Sequence, residues 1–191
     1  QARSDNSGAI DIDAGMGVTV TAGRGHQNYA HVGHGGFDAD NPNTTNATTI
    51  AASGQNQGAI NLDAGGDVLF NAGDAHRAYA QFGHGGAHTR TNASGALHLV
   101  TTGGRIEFNA GIGVDDGDTE AYAMLGHGGY EADGTYSGSI NVGSTSSATT
   151  FNGNAVTAGV IFRAGDRRDS FTQLGHGGSD SKSGAPGAAN G

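Results

Sequence analysis

The tetrapeptide Gly-His-Gly-Gly occurs four times in this chain, with its imidazoles at His34, His84, His127 and His176. A motif that returns at such an interval marks a fold built by repeating one supersecondary unit. Each copy ends a short apolar segment: YAHVGHGG, AYAQFGHGG, AYAMLGHGG and FTQLGHGG. Two further segments recur upstream in fixed order. The first reads GAIDIDAG, GAINLDAG, GALHLVTT and GSINVGST; the second reads GVTVTAG, DVLFNAG, RIEFNAG and GVIFRAG.

The intervals between the histidines are 50, 43 and 49 residues, and they become regular once insertions are located. Ile10 to His34 and Ile60 to His84 both span 24 residues, while His84 to Leu97 and His127 to Ile140 both span 13. A base unit of 37 residues follows, with insertions of 13, 6 and 12 residues: the first within 37–57, the second mostly in 112–120 with one extra residue near Gly103, and the third within 145–158. The units cover about 8–36, 58–86, 95–129 and 138–178 of a single repeat domain, 1–191. The polar, small-residue insertions fall at segment junctions, where a scaffold tolerates loops. The tail, 179–191, reads as a linker toward a next unit. Joined to the head of another copy, it would place the next Ile10 25 residues after His176.

The segments alternate with the period of strands. Ile10, Ile12 and Ala14 alternate with Asp11 and Asp13, and Val18/Val20, Val68/Phe70, Ile106/Phe108 and Val160/Phe162 form a second inward set. The third segment buries Val32, Phe82, Leu125 and Leu174. Outside the insertion 37–57, Gly interrupts every window of ten or so residues, and Gly is costly in a helix interior. The expected fold is all-β: a parallel β-helix of about four rungs, each with three short strands. A four-bladed β-propeller is the alternative, since the unit length is close to that of propeller repeats. The β-helix accounts for 37 Gly among 191 residues beside only 35% hydrophobic residues. Its thin core is refilled on every rung, and Gly supplies positive φ at the corners.

Composition removes several classes. There is no collagen period, and no apolar run approaches the ~20 residues of a membrane-spanning helix. Without Cys, disulfide scaffolds and thiolate chemistry are excluded. A net charge of −9 repels phosphate backbones, so nucleic acid is not an expected partner, and no basic amphipathic stretch suggests membrane insertion.

Four features carry candidate chemistry. The column His34, His84, His127 and His176 reads as a metal-binding or pH-sensitive ladder, or as corner rings that stack and cap a turn carbonyl. The motif brings no carboxylate or thiolate to complete a closed metal site, so the structural reading is preferred. Rings about 5 Å apart are then expected to stay neutral at pH 7. The aromatic column Tyr29, Tyr79, Tyr122 and Phe171 reads as a stacked ladder or as a sugar-contacting stripe. Alternation from Val32 turns Tyr29 outward. The acidic insertion holds Asp115, Asp116, Asp118 and Glu120, a Ca²⁺ loop only if six to eight oxygens converge; a solvated loop is the preferred reading. The sequons at Asn43, Asn46 and Asn92 lie in stretches read as loops. Polar positions recur on every unit, whereas a catalytic centre is singular. A β-helical polysaccharide-active enzyme is therefore a remote alternative, and no cofactor is expected.

GAINLDAGGDVLFNAG (58–73) and GAIDIDAGMGVTVTA (8–22) resemble the repeats of filamentous haemagglutinin-type adhesins, the large bacterial exoproteins of two-partner secretion. Residues 95–110, 138–144 and 159–164 are similar more loosely, and the GHGG segment is not part of the usual repeat. The resemblance covers two segments of every unit. It implies a right-handed parallel β-helix in an extracellular or cell-surface location, as a structural segment of a fibre or adhesin stalk. The implied partners are copies of itself or adjacent repeats stacked end to end. The alternative is a binding module whose loops contact glycans or a host surface.

Overall fold

A computed structural model describes residues 5–38, 54–112, 120–145, 149–151, 154–156, 159–166 and 168–181. Within them the chain coils through four rungs of parallel strands. The first rung holds β1 (Asn6–Ser7), β2 (Ile10–Ala14), β3 (Val18–Thr21) and β4 (Ala30–Val32). The second holds β5 (Gln55–Gln57), β6 (Ile60–Ala64), β7 (Val68–Asn71) and β8 (Ala80–Phe82). The third holds β9 (Asn92–Ser94), β10 (Leu97–Thr101), β11 (Ile106–Asn109) and β12 (Ala123–Leu125). The fourth holds β13 (Tyr136–Ser137), β14 (Ile140–Ser144), β17 (Val160–Arg163) and β18 (Thr172–Leu174), with β15 (Thr149–Phe151) and β16 (Asn154–Val156) forming an antiparallel pair between them.

Each strand pairs with its counterpart one unit away, giving four parallel sheets ordered β1-β5-β9-β13, β2-β6-β10-β14, β3-β7-β11-β17 and β4-β8-β12-β18. A propeller blade pairs antiparallel strands within one unit, so this topology is the β-helix. Two expectations change in detail. Every rung has a fourth short strand, built from polar residues such as Gln55–Gln57 and Asn92–Ser94, which offer no apolar alternation. The insertion 145–158 contains the β15–β16 hairpin, where a loop was expected.

Register places like on like. Ile10, Ile60, Leu97 and Ile140 are successive Cα partners, as are Val20, Phe70, Phe108 and Phe162. Phe70, Phe108 and Phe162 stack face to face with centroids 4.8 and 5.1 Å apart, the spacing of adjacent strands. Ile60, Leu62, Val68, Phe70, Leu99 and Phe108 are fully buried, while their first- and fourth-rung counterparts are half-buried. Each fully buried side chain of this size contributes about 1.5–3 kcal/mol of burial energy. Four rungs therefore hold a continuous core from few apolar residues.

Candidate functional site

The GHGG corner is the most elaborate polar arrangement in the coil. After β4, β8, β12 and β18 the chain turns through Gly residues at positive φ, Gly33, Gly83, Gly126 and Gly175 among them. The ring at His34 then stacks on His84, His84 on His127 and His127 on His176, at 4.9, 5.0 and 4.8 Å and within 5° of parallel.

Both nitrogens of the inner rings are engaged, each in a different direction. Nδ1 of His84, His127 and His176 accepts the backbone N–H of His34, His84 and His127 at 3.0, 3.0 and 3.2 Å, which joins neighbouring rungs. An accepting Nδ1 leaves the proton on Nε2. That N–H donates to a carbonyl of the same rung: His34 to Gly8 (3.1 Å), His84 to Gly58 (2.9 Å), His127 to Gly95 (3.1 Å) and His176 to Gly138 (3.0 Å). These acceptors are the glycines that open Gly-Ala-Ile, Gly-Ala-Leu and Gly-Ser-Ile. The two recurrent motifs are thus the two halves of one clasp. Each His closes its own turn of the coil and ties it to the next.

A clasp of this kind works only with neutral rings, because a proton on Nδ1 would face a backbone N–H. His84 and His127 are fully buried. Burial lowers the pKa of His127 to about 3 against the pull of Gly95 carbonyl, with His84 and His176 adding repulsion. Burial likewise lowers that of His84. His31, whose Nε2 meets Gly83 carbonyl, is lowered to about 4, again chiefly by burial. At the inner rings a metal would have to displace one of these hydrogen bonds to gain a lone pair. Among the described residues no three His, Asp or Glu side chains converge as metal ligands.

The aromatic column stacks as well, Tyr29 on Tyr79, Tyr79 on Tyr122 and Tyr122 on Phe171, at 5.0, 4.7 and 5.0 Å. Tyr79 and Tyr122 are fully buried, and only the end-rung Tyr29 is substantially exposed, at 43%. Alternation from Val32 turns Tyr29 outward, and Tyr29 is exposed as expected; Tyr79 and Tyr122 likewise lie outside the main core but are buried in a second one. The chain after each GHGG doubles back over the rings, so Tyr79, Ala87, Tyr122, Met124 and Tyr130 form a second small core. The last Gly of the first three motifs makes room: a Cβ on Gly129 would lie 2.6 Å from the Tyr122 hydroxyl. The strand between the two cores is buried on both faces. Gln81 there donates from Nε2 to the carbonyls of Gly126 (3.1 Å) and Gly128 (2.9 Å).

Two polar columns escape the sequence reading. Gln27, Arg77, Glu120 and Asp169 all have positive φ, as do Asp38, His88, Glu131 and Asp180. They sit seven residues before and four residues after each motif histidine. That constant offset is the signal which would have found them. Glu120, expected in a Ca²⁺ loop, belongs here: Arg77 Nε lies 2.8 Å and His88 Nε2 3.4 Å from its Oε2, and the side chain is 6% exposed. Burial opposes ionisation of Glu120, but the hydrogen bonds from His88 and Arg77 prevail and hold its carboxyl below the usual value. His88 Nδ1 also meets Glu131 at 2.9 Å, and Phe37 and Tyr130 pack edge-on against its ring. Asp115, Asp116 and Asp118 lie outside the described residues, as do the sequons at Asn43 and Asn46. Asn92 opens strand β9, where a loop was expected, and its Oδ1 accepts Thr135 N–H at 2.9 Å.

Comparison with known protein families, curated proteins and solved structures finds no match.

Proposed function

We propose that the chain is a structural, non-catalytic segment of an extracellular bacterial surface fibre or adhesin stalk. The observation that carries this reading is the histidine clasp repeated on all four rungs. Residue types that serve as ligands or catalysts elsewhere are here spent on joining one turn of the coil to the next. The Tyr and Phe columns do the same through stacking, where each offset ring pair adds about 0.5–1.5 kcal/mol beyond its burial. Axial repetition of hydrogen bonds and stacked rings makes a solenoid stiff along its length. The likeness of 8–22 and 58–73 to haemagglutinin-type repeats supports the surface location.

Immunogold labelling of intact cells that produce the protein tests the reading. Gold along extended surface material is the expected result, and label confined to the cell interior would overturn it. A glycan array tests the alternative of an adhesive module, for which saturable binding by the purified chain would be the supporting outcome.

A further inference from the structure

The two ends of the coil differ in a way that the interior explains. The outermost strands are β1, β2, β3 and β4 at one end and β13, β14, β17 and β18 at the other. Among the described residues nothing continues the four sheets beyond them. The side chains there are the ends of columns: Tyr29 is 43% and Leu174 52% exposed, while Tyr79, Tyr122, Phe82 and Leu125 within the same columns are fully buried.

The histidine column gives these ends a polarity. Inside the stack, the amide of one motif histidine always donates to Nδ1 of the histidine on the following rung. Among the described residues, the series leaves His176 N–H as its last donor and His34 Nδ1 as its first acceptor. A donor meets an acceptor only when the fourth rung of one molecule faces the first rung of another. Two like ends would oppose donor to donor or acceptor to acceptor. Only the head-to-tail arrangement also carries every side-chain column across the junction, with Phe171 over Tyr29 and Leu174 over Val32.

Glycine spacing agrees. A Cβ on Gly65 would collide with the Gly15 carbonyl of the preceding rung, whereas a Cβ on Gly15 meets nothing within 4 Å. Gly175 and Gly177 at the other end also face open space, although a Cβ on their inner counterparts, such as Gly126 and Gly128, would strike the next rung. At these glycines both end faces are, among the described residues, as bare as the faces that receive a rung inside the coil.

From these observations we infer that the fourth-rung face docks on the first-rung face of a second copy of this chain, through backbone ladders and a His176 N–H to His34 Nδ1 hydrogen bond. The inference rests on the reading of the chain as a fibre segment and supplies its partner. Such an interface is heterologous and generates an open filament, with an axial repeat of about 19 Å if four strand spacings of about 4.8 Å set it.

Sedimentation velocity of the purified chain and three variants tests the junction. Gly15→Lys places a side chain on the first-rung face, where a Cβ has open space, and Leu174→Lys charges the fourth-rung face. Thr19→Lys is the control, on the exposed side of β3. Circular dichroism matching the wild type establishes that each is folded. The wild type and Thr19→Lys are expected to grow into polymers with concentration, and each blocked variant to remain monomeric. An equimolar mixture of the two blocked variants should give dimers and nothing longer, because each supplies the face that the other lacks. Folded Gly15→Lys that polymerises like the wild type overturns the junction. So does a wild type that stays monomeric at every concentration, and that result leaves the surface location to be judged by immunogold labelling.

Discussion

Acid should loosen this protein well before its carboxylates titrate. His127 is fully buried, with its pKa lowered to about 3 from 6.5. In the unfolded chain the same imidazole takes up a proton below about pH 6.5. The unfolded state therefore binds more protons between those two values, and stability falls as pH drops through that window. Above about pH 6.5 the full stability is present. At pH 5, about 1.5 units into the window, His127 alone costs about 2 kcal/mol at 1.36 kcal/mol per unit. His84 and His31 are shifted in the same direction and add to the loss. Glu120 is lowered as well, but from a lower reference, 4.5, so its ion pairs are retained at pH 5. Urea denaturation followed by circular dichroism at pH 7.5 and pH 5.0 measures the difference. The denaturation midpoint should fall on acidification. Equal midpoints at the two pH values would refute the argument that the clasp demands neutral rings.

Three further outcomes are expected. His127→Gln removes two stacking contacts and strands His84 N–H and Gly95 carbonyl, at about 1–3 kcal/mol for each buried orphan; calorimetry should show a lowered Tm, with a smaller effect for the same change at the end-rung His34. Gly83→Ala forces a Cβ onto a residue at φ 143° and against Gly126 carbonyl. Backbone strain alone costs about 1–3 kcal/mol, so this variant should be less stable than Gly143→Ala, whose Cβ meets nothing within 4 Å. Glu120→Gln discharges the partner of Arg77 and His88 and should cost about 1.5–3 kcal/mol, on the scale of a hydrogen bond to a charged group; a double-mutant cycle with Arg77→Gln would read the coupling directly.

Much of the coil was legible because its strands follow one rule. Period-two alternation in Ile10–Ala14 and its counterparts gave the inward set, and the spacing between Ile60 and His84 gave the register that the strand pairs show. What escaped notice follows other rules. β5 and β9 consist of Asn, Gln, Ala and Ser, and they extend because their neighbours hydrogen-bond to them. Asn56, for example, is buried while donating to Thr91 Oγ1 at 3.1 Å and accepting from Asn6 at 2.9 Å. Tyr79 and Tyr122 are covered by a segment from their own rung that doubles back, an event that alternation along one strand does not encode. Glu120 stands at the end of an acidic stretch, yet its turn conformation and the two bases beside it place it in an internal ion pair. The histidine column was visible as a column. Its use of both nitrogens was not, because the Gly acceptors lie 26 to 38 residues away in the chain.

The central claim is that the motif histidines are clasps within and between rungs, with no lone pair left over in the inner rings for a ligand. The ¹⁵N spectrum of the imidazoles tests it most directly. At pH 7 the account predicts that His84 and His127 show a protonated Nε2 and an unprotonated Nδ1, unchanged on adding Zn²⁺, and that His127 keeps this state on lowering the pH to 5. Rings that titrate near their ordinary pKa, or whose Nδ1 resonances move on adding Zn²⁺, would contradict it.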